Sequence, residues 1–197
     1  MTDTKPEPLE FQEIEHKFVV GADFDLDSFT ASLEALGPAR KTAIRVTDTY
    51  YLLSAGRTGS FVIRHRYDEE LHHLTLKTLE ADTEVRREIN LDLGHHAGDQ
   101  QARVDAFLEH FGIEWRGSLE KDLKVWYFAD AEIVHYRATT DARAVHCVEF
   151  EATRKPSLAE ALATVRRYES ATGFDEADRS HLPLVEILFP ELGERIQ

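Results

Sequence analysis

The sequence predicts an α+β chain built on an eight-stranded antiparallel β-barrel, with helices inserted between strands and at the C-terminus. Three observations predict it. Segments in which residues alternate at period two recur along the whole chain. Many of their connections are short and polar, which favours antiparallel pairing. A set of eight such strands can close on itself and leave no unpaired edge.

The elements follow in chain order. Residues 1–10 are acidic and polar and read as a flexible lead-in, leaving 11–197 as a single domain. Phe11–Val20 alternates as a strand. Asp25–Gly37 reads as a helix, with Phe29, Leu33 and Leu36 on one face and Gly37-Pro38 as its stop. Arg40–Leu53 is a second strand and Ala55–Gly59 a turn. Three strands follow at Ser60–Tyr67, Leu71–Leu79 and Glu84–Leu91. The spacing of Val104, Phe107, Leu108 and Phe111 predicts a helix over Asp99–Gly112. Strands are predicted again at Glu120–Ala129, Glu132–Thr139 and Arg143–Thr153. Ser157-Leu-Ala-Glu160 is a capping box that opens a helix, and Gly173 closes it. The apolar tail Leu182–Leu188 predicts a last helix.

Bulk properties narrow the classes of function. The 197 residues are 42% hydrophobic, enough for a core, and carry a net charge of −14. That charge argues against general nucleic-acid binding, which needs a cationic surface. It leaves room for basic residues that converge inside an acidic exterior. No apolar stretch approaches the roughly 20 residues of a spanning helix, so no membrane partner is expected. The first residues lack a secretory pattern, and the single cysteine, Cys147, can form no internal disulfide. These features make a cytoplasmic location the expectation. Homodimer formation is left open.

The charged residues fall on faces. In Glu13-Ile-Glu15-His-Lys17, alternation puts Glu13, Glu15 and Lys17 on one side and Ile14, His16 and Phe18 on the other. One such strand could simply be amphipathic and solvated. The pattern recurs, however. Arg64 and Arg66 share a face, as do Thr75 and Lys77, Arg86 and Glu88, and Glu149 and Glu151. Arginine forks and lysine ammoniums neutralise phosphate oxygens. Carboxylates hold Mg²⁺ or Mn²⁺, which bridges to phosphate. Both signs on neighbouring strands suit a polyphosphate lying beside its metal. The rival reading is a barrel with a salt-bridged exterior.

This ordered set of motifs resembles the CYTH superfamily, the triphosphate tunnel metalloenzymes. The resemblance rests on Glu13-x-Glu15-x-Lys17, Arg64-x-Arg66, the strand with Lys77, Arg86-x-Glu88 and Glu149-x-Glu151. It implies a closed antiparallel tunnel and a metal-dependent triphosphatase. It further implies that Lys17, Arg64, Arg66, Lys77, Arg86 and Lys121 hold the triphosphate. Glu13, Glu15, Glu149 and Glu151 would hold Mg²⁺ or Mn²⁺, and Glu13, Glu15 and Glu88 would be catalytic. The partner implied is a triphosphate-containing small molecule. Two departures stand out. The family's Lys-x-Arg falls on Lys121-Asp-Leu123, which puts leucine where the arginine belongs, and regular alternation points Lys124 to the opposite face. The family's acidic residue on the seventh strand has Asp141 as its nearest candidate, in a turn.

The remaining candidates are weaker. His72-His73 and His95-His96 are adjacent pairs, which point opposite ways in a strand, and most of the ten histidines are expected on the surface. Cys147 shares a face with Glu149, yet no partner makes it a nucleophile. One of Tyr50 and Tyr51 must face the charged side of its strand. Three functions share this charged frame: triphosphate hydrolysis, cyclisation of ATP to cyclic AMP as in class IV adenylyl cyclases, and non-catalytic polyphosphate binding.

Overall fold

The computed structural model describes residues 9–79 and 85–196. Residues 1–8 of the predicted lead-in lie outside that range, and Leu9–Phe11 form one turn of 3-10 helix. The strands are β1 (Gln12–Val20), β2 (Arg40–Leu53), β3 (Phe61–Tyr67), β4 (His72–Thr78), β5 (Val85–Asp92), β6 (Ile113–Tyr127), β7 (Ala131–Thr139), β8 (Ala144–Ala152) and the short β9 (Arg179–Ser180). The helices are α1 (Leu26–Ala35), α2 (Ser54–Gly59), α3 (Gln101–Glu109), α4 (Leu158–Thr172), α5 (Leu184–Leu188) and α6 (Pro190–Ile196).

The strands run β5-β4-β3-β2-β6-β7-β8-β1, every pairing antiparallel, and β1 closes the ring against β5. This is a closed eight-stranded antiparallel barrel. Closure is staggered: Gln12–Ile14 pair with β5, while Lys17 and Phe18 pair on that same edge with β9. Alternation explains the layers. Ile14 and Phe18 of β1 and Val148 and Phe150 of β8 point outward and are buried under α1 and α4 with Phe29, Leu33, Ala161 and Val165. Tyr51 of β2 points outward beneath Val104 and Leu108 of α3.

Local chemistry sets the element ends. Asp25 caps α1 through Ser28 N–H at 3.0 Å. Ser157 Oγ accepts from Glu160 N–H at 3.2 Å, and Gly173 ends α4 at φ 84°. Replacing Ser157 with Ala should lower stability by about 1 kcal/mol, readable in a urea titration as a shifted midpoint at unchanged slope.

Four elements depart from expectation. Residues 54–59 form the short helix α2 rather than a turn, closed by Ser60 at φ 50°. The helix expected at Leu182–Leu188 is α5, and a further short helix that was not expected, α6, follows it after Phe189. The strand β9 is too short to carry a periodicity. Finally, β6 begins at Ile113 rather than Glu120. Within that early part, a Cβ on Gly117 would sit 2.5 Å from the Trp115 ring and 3.0 Å from Phe189. The glycine is there to admit those rings. Gly117→Ala should therefore cost about 1–3 kcal/mol by overpacking, again by urea titration.

Candidate active site

The barrel encloses a cavity of about 280 Å³. Strand alternation turns Glu13, Glu15 and Lys17 of β1 into it, with Arg64 and Arg66 of β3 and Lys77 of β4. Arg86 and Glu88 of β5, Lys121 of β6, and Glu149 and Glu151 of β8 complete the charged belt. All the charged residues singled out by period two therefore meet in one space. Thr75 is buried on the same side, where its hydroxyl accepts from Arg64 at 3.2 Å and donates to Asn90 at 2.6 Å.

Within the belt the two signs interleave. Lys77 Nζ lies 2.9 Å from Glu13 and 2.7 Å from Glu88. Lys17 Nζ lies 3.5 Å from both Glu15 and Glu149. Arg86 approaches Glu15 at 3.5 Å and Arg64 approaches Glu88 at 3.6 Å. These pairs split the carboxylates into two groups. Burial would raise Glu15, but Lys17, Lys77 and Arg86 hold it at about 2. Burial is likewise outweighed at Glu88 by Lys77 and Arg64, which keep it well below the usual carboxylate range. Glu13 moves the other way: burial, with Glu15 adding, pushes it well up despite Lys77. Burial and then Glu132 and Glu15 push Glu151 up to about 8.

Two acidic residues were not singled out by sequence reasoning. Asp48 of β2 is fully buried and takes two bonds of 2.7 Å from the Arg66 guanidinium. Its second oxygen also lies 3.3 Å from Lys121 Nζ. The other is Glu132 of β7, which lines the cavity. Asp141, the nearest sequence candidate for an acidic residue on the seventh strand, is instead exposed in the turn after β7. Glu132 alternates with Val134 and Tyr136, and that period was its available signal.

The remaining positions resolve by alternation. Leu123 lines the cavity where the resemblance expects arginine, and Lys124 is exposed on the opposite face with no bulge to redirect it. Tyr50 faces the cavity, and burial pushes its hydroxyl up to about 12. Tyr51 faces outward and donates to Asp105 at 2.6 Å. Cys147 is buried in the interior core, where burial and Glu149 push its thiol up to about 11, which keeps it un-ionised and non-nucleophilic. The expectation of surface histidines fails for several. His16, His65 and His72 are buried because helices and loops cover the outer faces of their strands: His16 meets Glu169 of α4, and His65 meets Gln101 of α3. His73 lines the cavity, and His146 packs on the outer face against His135.

The acidic wall suits a hard divalent cation. Glu15, Glu151 and Glu132 lie in direct cross-strand register on β1, β8 and β7. Like charges facing each other across strands repel. One oxygen of Glu13 is buried with no hydrogen-bond partner among the described residues. The donors are all carboxylate oxygens, the type that Mg²⁺ and Mn²⁺ select. Among the described residues no three such side chains already converge as a coordination set; Lys17, Lys77 and Arg86 engage the carboxylates instead.

No protein-family model and no curated protein sequence matches the chain. Solved structures do match. A Pyrococcus horikoshii protein aligns at TM-score 0.70 and 17% identity, over 89% of this chain and 99% of that one. A candidate adenylate cyclase from Bacillus halodurans aligns at 0.56 and 16%, over 91% and 99%. A candidate adenylyl cyclase from Hippeastrum, described as having a dominant triphosphatase activity, aligns at 0.58 and 12%, over 91% and 96%. The chain thus has the CYTH fold, a closed barrel of eight antiparallel strands around a charged interior.

Proposed function

We propose that this protein hydrolyses a triphosphate inside the barrel with the help of a divalent metal ion. The observation that carries the reading is the belt itself: cationic forks and ammoniums interleave with the register-matched glutamates in one cavity inside the closed barrel. Such a belt matches a phosphate chain and its counter-cation together. The described activity of the Hippeastrum neighbour supports the same reading.

Each residue then has a role. Lys17, Arg64, Arg66, Lys77, Arg86 and Lys121 bind phosphate oxygens and stabilise charge that shifts toward the leaving oxygen. Glu13, Glu15, Glu149 and Glu151 would hold Mg²⁺ or Mn²⁺, with Glu132 beside them. When bound, the cation neutralises phosphate charge. Glu88 fixes Lys77 and Arg64 through its ion pairs. A water attacks the terminal phosphorus, the bond to the bridging oxygen breaks, and phosphate and diphosphate result. Burial raises the basicity of both Glu13 and Glu151, and Glu13, which the family resemblance makes catalytic, is assigned to take the water's proton. Glu15, held at about 2, is a poor base and serves better as a permanent anion.

The test is a panel of tripolyphosphate, ATP, GTP and thiamine triphosphate with Mg²⁺ and with Mn²⁺, assayed for phosphate, diphosphate and cyclic nucleotide. Tripolyphosphate should be hydrolysed at least as well as ATP, with little cyclic AMP. Abundant cyclic AMP with inert tripolyphosphate would promote the adenylyl cyclase reading. Tight binding without turnover would leave a polyphosphate-binding protein.

The metal assignment predicts a pH dependence. Glu151, raised to about 8, must lose its proton to bind a cation. Apparent Mn²⁺ affinity should therefore rise as pH climbs toward 8 and level off above it, with proton release on binding in the lower range. Isothermal titration calorimetry in two buffers of different ionisation enthalpy would measure both. A flat profile would remove Glu151 from the ligand set.

A further inference from the structure

We propose that the barrel is a blind cup, stopped at one end by its own core, so that a phosphate chain enters only from the other end and engages the belt only through a chain terminus. This rests on the reading that the belt binds phosphate chains. It adds a limit on substrate class that the belt alone does not impose.

The stopper is built from inward positions that continue the period-two pattern past the charges. On β2 the inward face runs Asp48, Tyr50, Leu52; on β6 it runs Lys121, Leu119, Gly117, Trp115. Leu52 and Trp115 are paired across the two strands. Ala138 of β7 and Cys147 of β8 reach the same end, and both are fully buried. Against this set pack Leu184, Val185 and Leu188 of α5 and Leu192 of α6, each at most 7% exposed. Phe189 stands edge-on to Trp115 at 5.1 Å, in the space left by Gly117.

The helices are also tied to the barrel. Arg143 donates to the Ile187 carbonyl at 3.3 Å and Arg195 to the Glu114 carbonyl at 3.4 Å. Arg86 of the belt donates to the His181 carbonyl at 3.2 Å. Pro183, Leu184 and Val185 line the floor of the cavity itself. The belt therefore stands directly on an apolar floor. A phosphate pushed through that floor would lose its hydration and gain no donor from the apolar side chains that form it.

The opposite end differs. There the cavity is lined by Glu132 and Glu151 and by Leu71 of the β3–β4 turn, 37% exposed. Glu70 of that turn accepts from Arg40 at 2.8 Å and from Tyr127 at 3.2 Å, which places the turn beside the start of β2 and the end of β6. Any organic group carried by a triphosphate is accordingly left at this mouth.

The experiment uses the full chain and linear polyphosphate long enough to span many copies of it, free or blocked at both termini, with tripolyphosphate as competitor. Stoichiometry is read by light scattering after gel filtration, and affinity by calorimetry. A blind cup binds no more than two copies per free chain whatever its length, loses binding when the termini are blocked, and is displaced by tripolyphosphate. Copies per chain that grow with length, or blocked chains that bind as well as free ones, would overturn it. Tripolyphosphate binding with no binding of long chains would also overturn it, since the limit would then lie at the mouth. If neither anion binds, the triphosphate reading itself fails, and this proposal with it.

Discussion

Glu149→Gln and Glu13→Gln are each expected to reduce metal-dependent turnover of tripolyphosphate by about 100-fold or more, the usual scale for losing one preorganised electrostatic contact. Both substitutions nearly preserve shape while removing a hard anionic oxygen. Their routes differ. Glu149 accepts from Tyr136 at 2.6 Å and lies 3.5 Å from Lys17, so its loss removes a cation ligand and leaves Lys17 with Glu15. Glu13 carries the raised carboxyl, so its loss also removes the proposed base. Glu13→Gln should therefore flatten the acid limb of the pH–rate profile, whereas Glu149→Gln should mainly raise the metal concentration needed for half-maximal rate. Folding should change little for Glu13→Gln, since removing a buried carboxyl crowded by Glu15, Glu88 and Glu151 relieves repulsion. Unchanged activity and unchanged metal titration in both variants would defeat the assignment.

The belt was legible in the sequence for a physical reason. A strand whose outer face must pack under α1, α3 or α4 has its apolar residues fixed at period two, so its charged residues are forced to the other face. In β1, β3 and β8 that rule alone assigns Glu13, Arg64 and Glu149 to one side, whereas β5 leaves Arg87 and Leu91 exposed outside and Glu88 is assigned by alternation alone. What it does not assign is which strands meet. The register that lines up Glu15, Glu151 and Glu132 is a product of long-range pairing, so the acidic row became visible only in the closed barrel. The buried histidines were missed on the same ground. His16 shares the packed face of Ile14 and Phe18, while His65 and His72 look like polar surface positions until Gln101 and Gly94 are brought over them. The early part of β6 was hidden by Gly117, whose reason for being there lies in Phe189, far along the chain.

Asp48 is the instructive omission. In Arg45-Val-Thr-Asp48-Thr it resembles an ordinary solvated aspartate, yet it is fully buried between Arg66 and Lys121. Asp48→Asn is expected to cost about 3 kcal/mol of stability, because removing one partner strands a buried cation. The pH dependence follows from linkage. Burial disfavours the Asp48 carboxylate, but Arg66 and Lys121 hold its folded pKa well below the unfolded value. Its contribution is therefore fully present above the unfolded carboxylate pKa of about 4 and is lost as pH falls below it. The difference between wild type and Asp48→Asn should be constant near neutrality and shrink in acid. Tripolyphosphate supplies the missing negative charge, so in the absence of divalent metal it should raise the melting temperature of the variant more than that of the wild type. Thermal melts across pH, with and without tripolyphosphate, would decide it. A variant as stable as wild type at pH 7 would show that Arg66 and Lys121 find other partners. Equal stabilisation of both proteins by tripolyphosphate would show that the two cations do not face the phosphate chain.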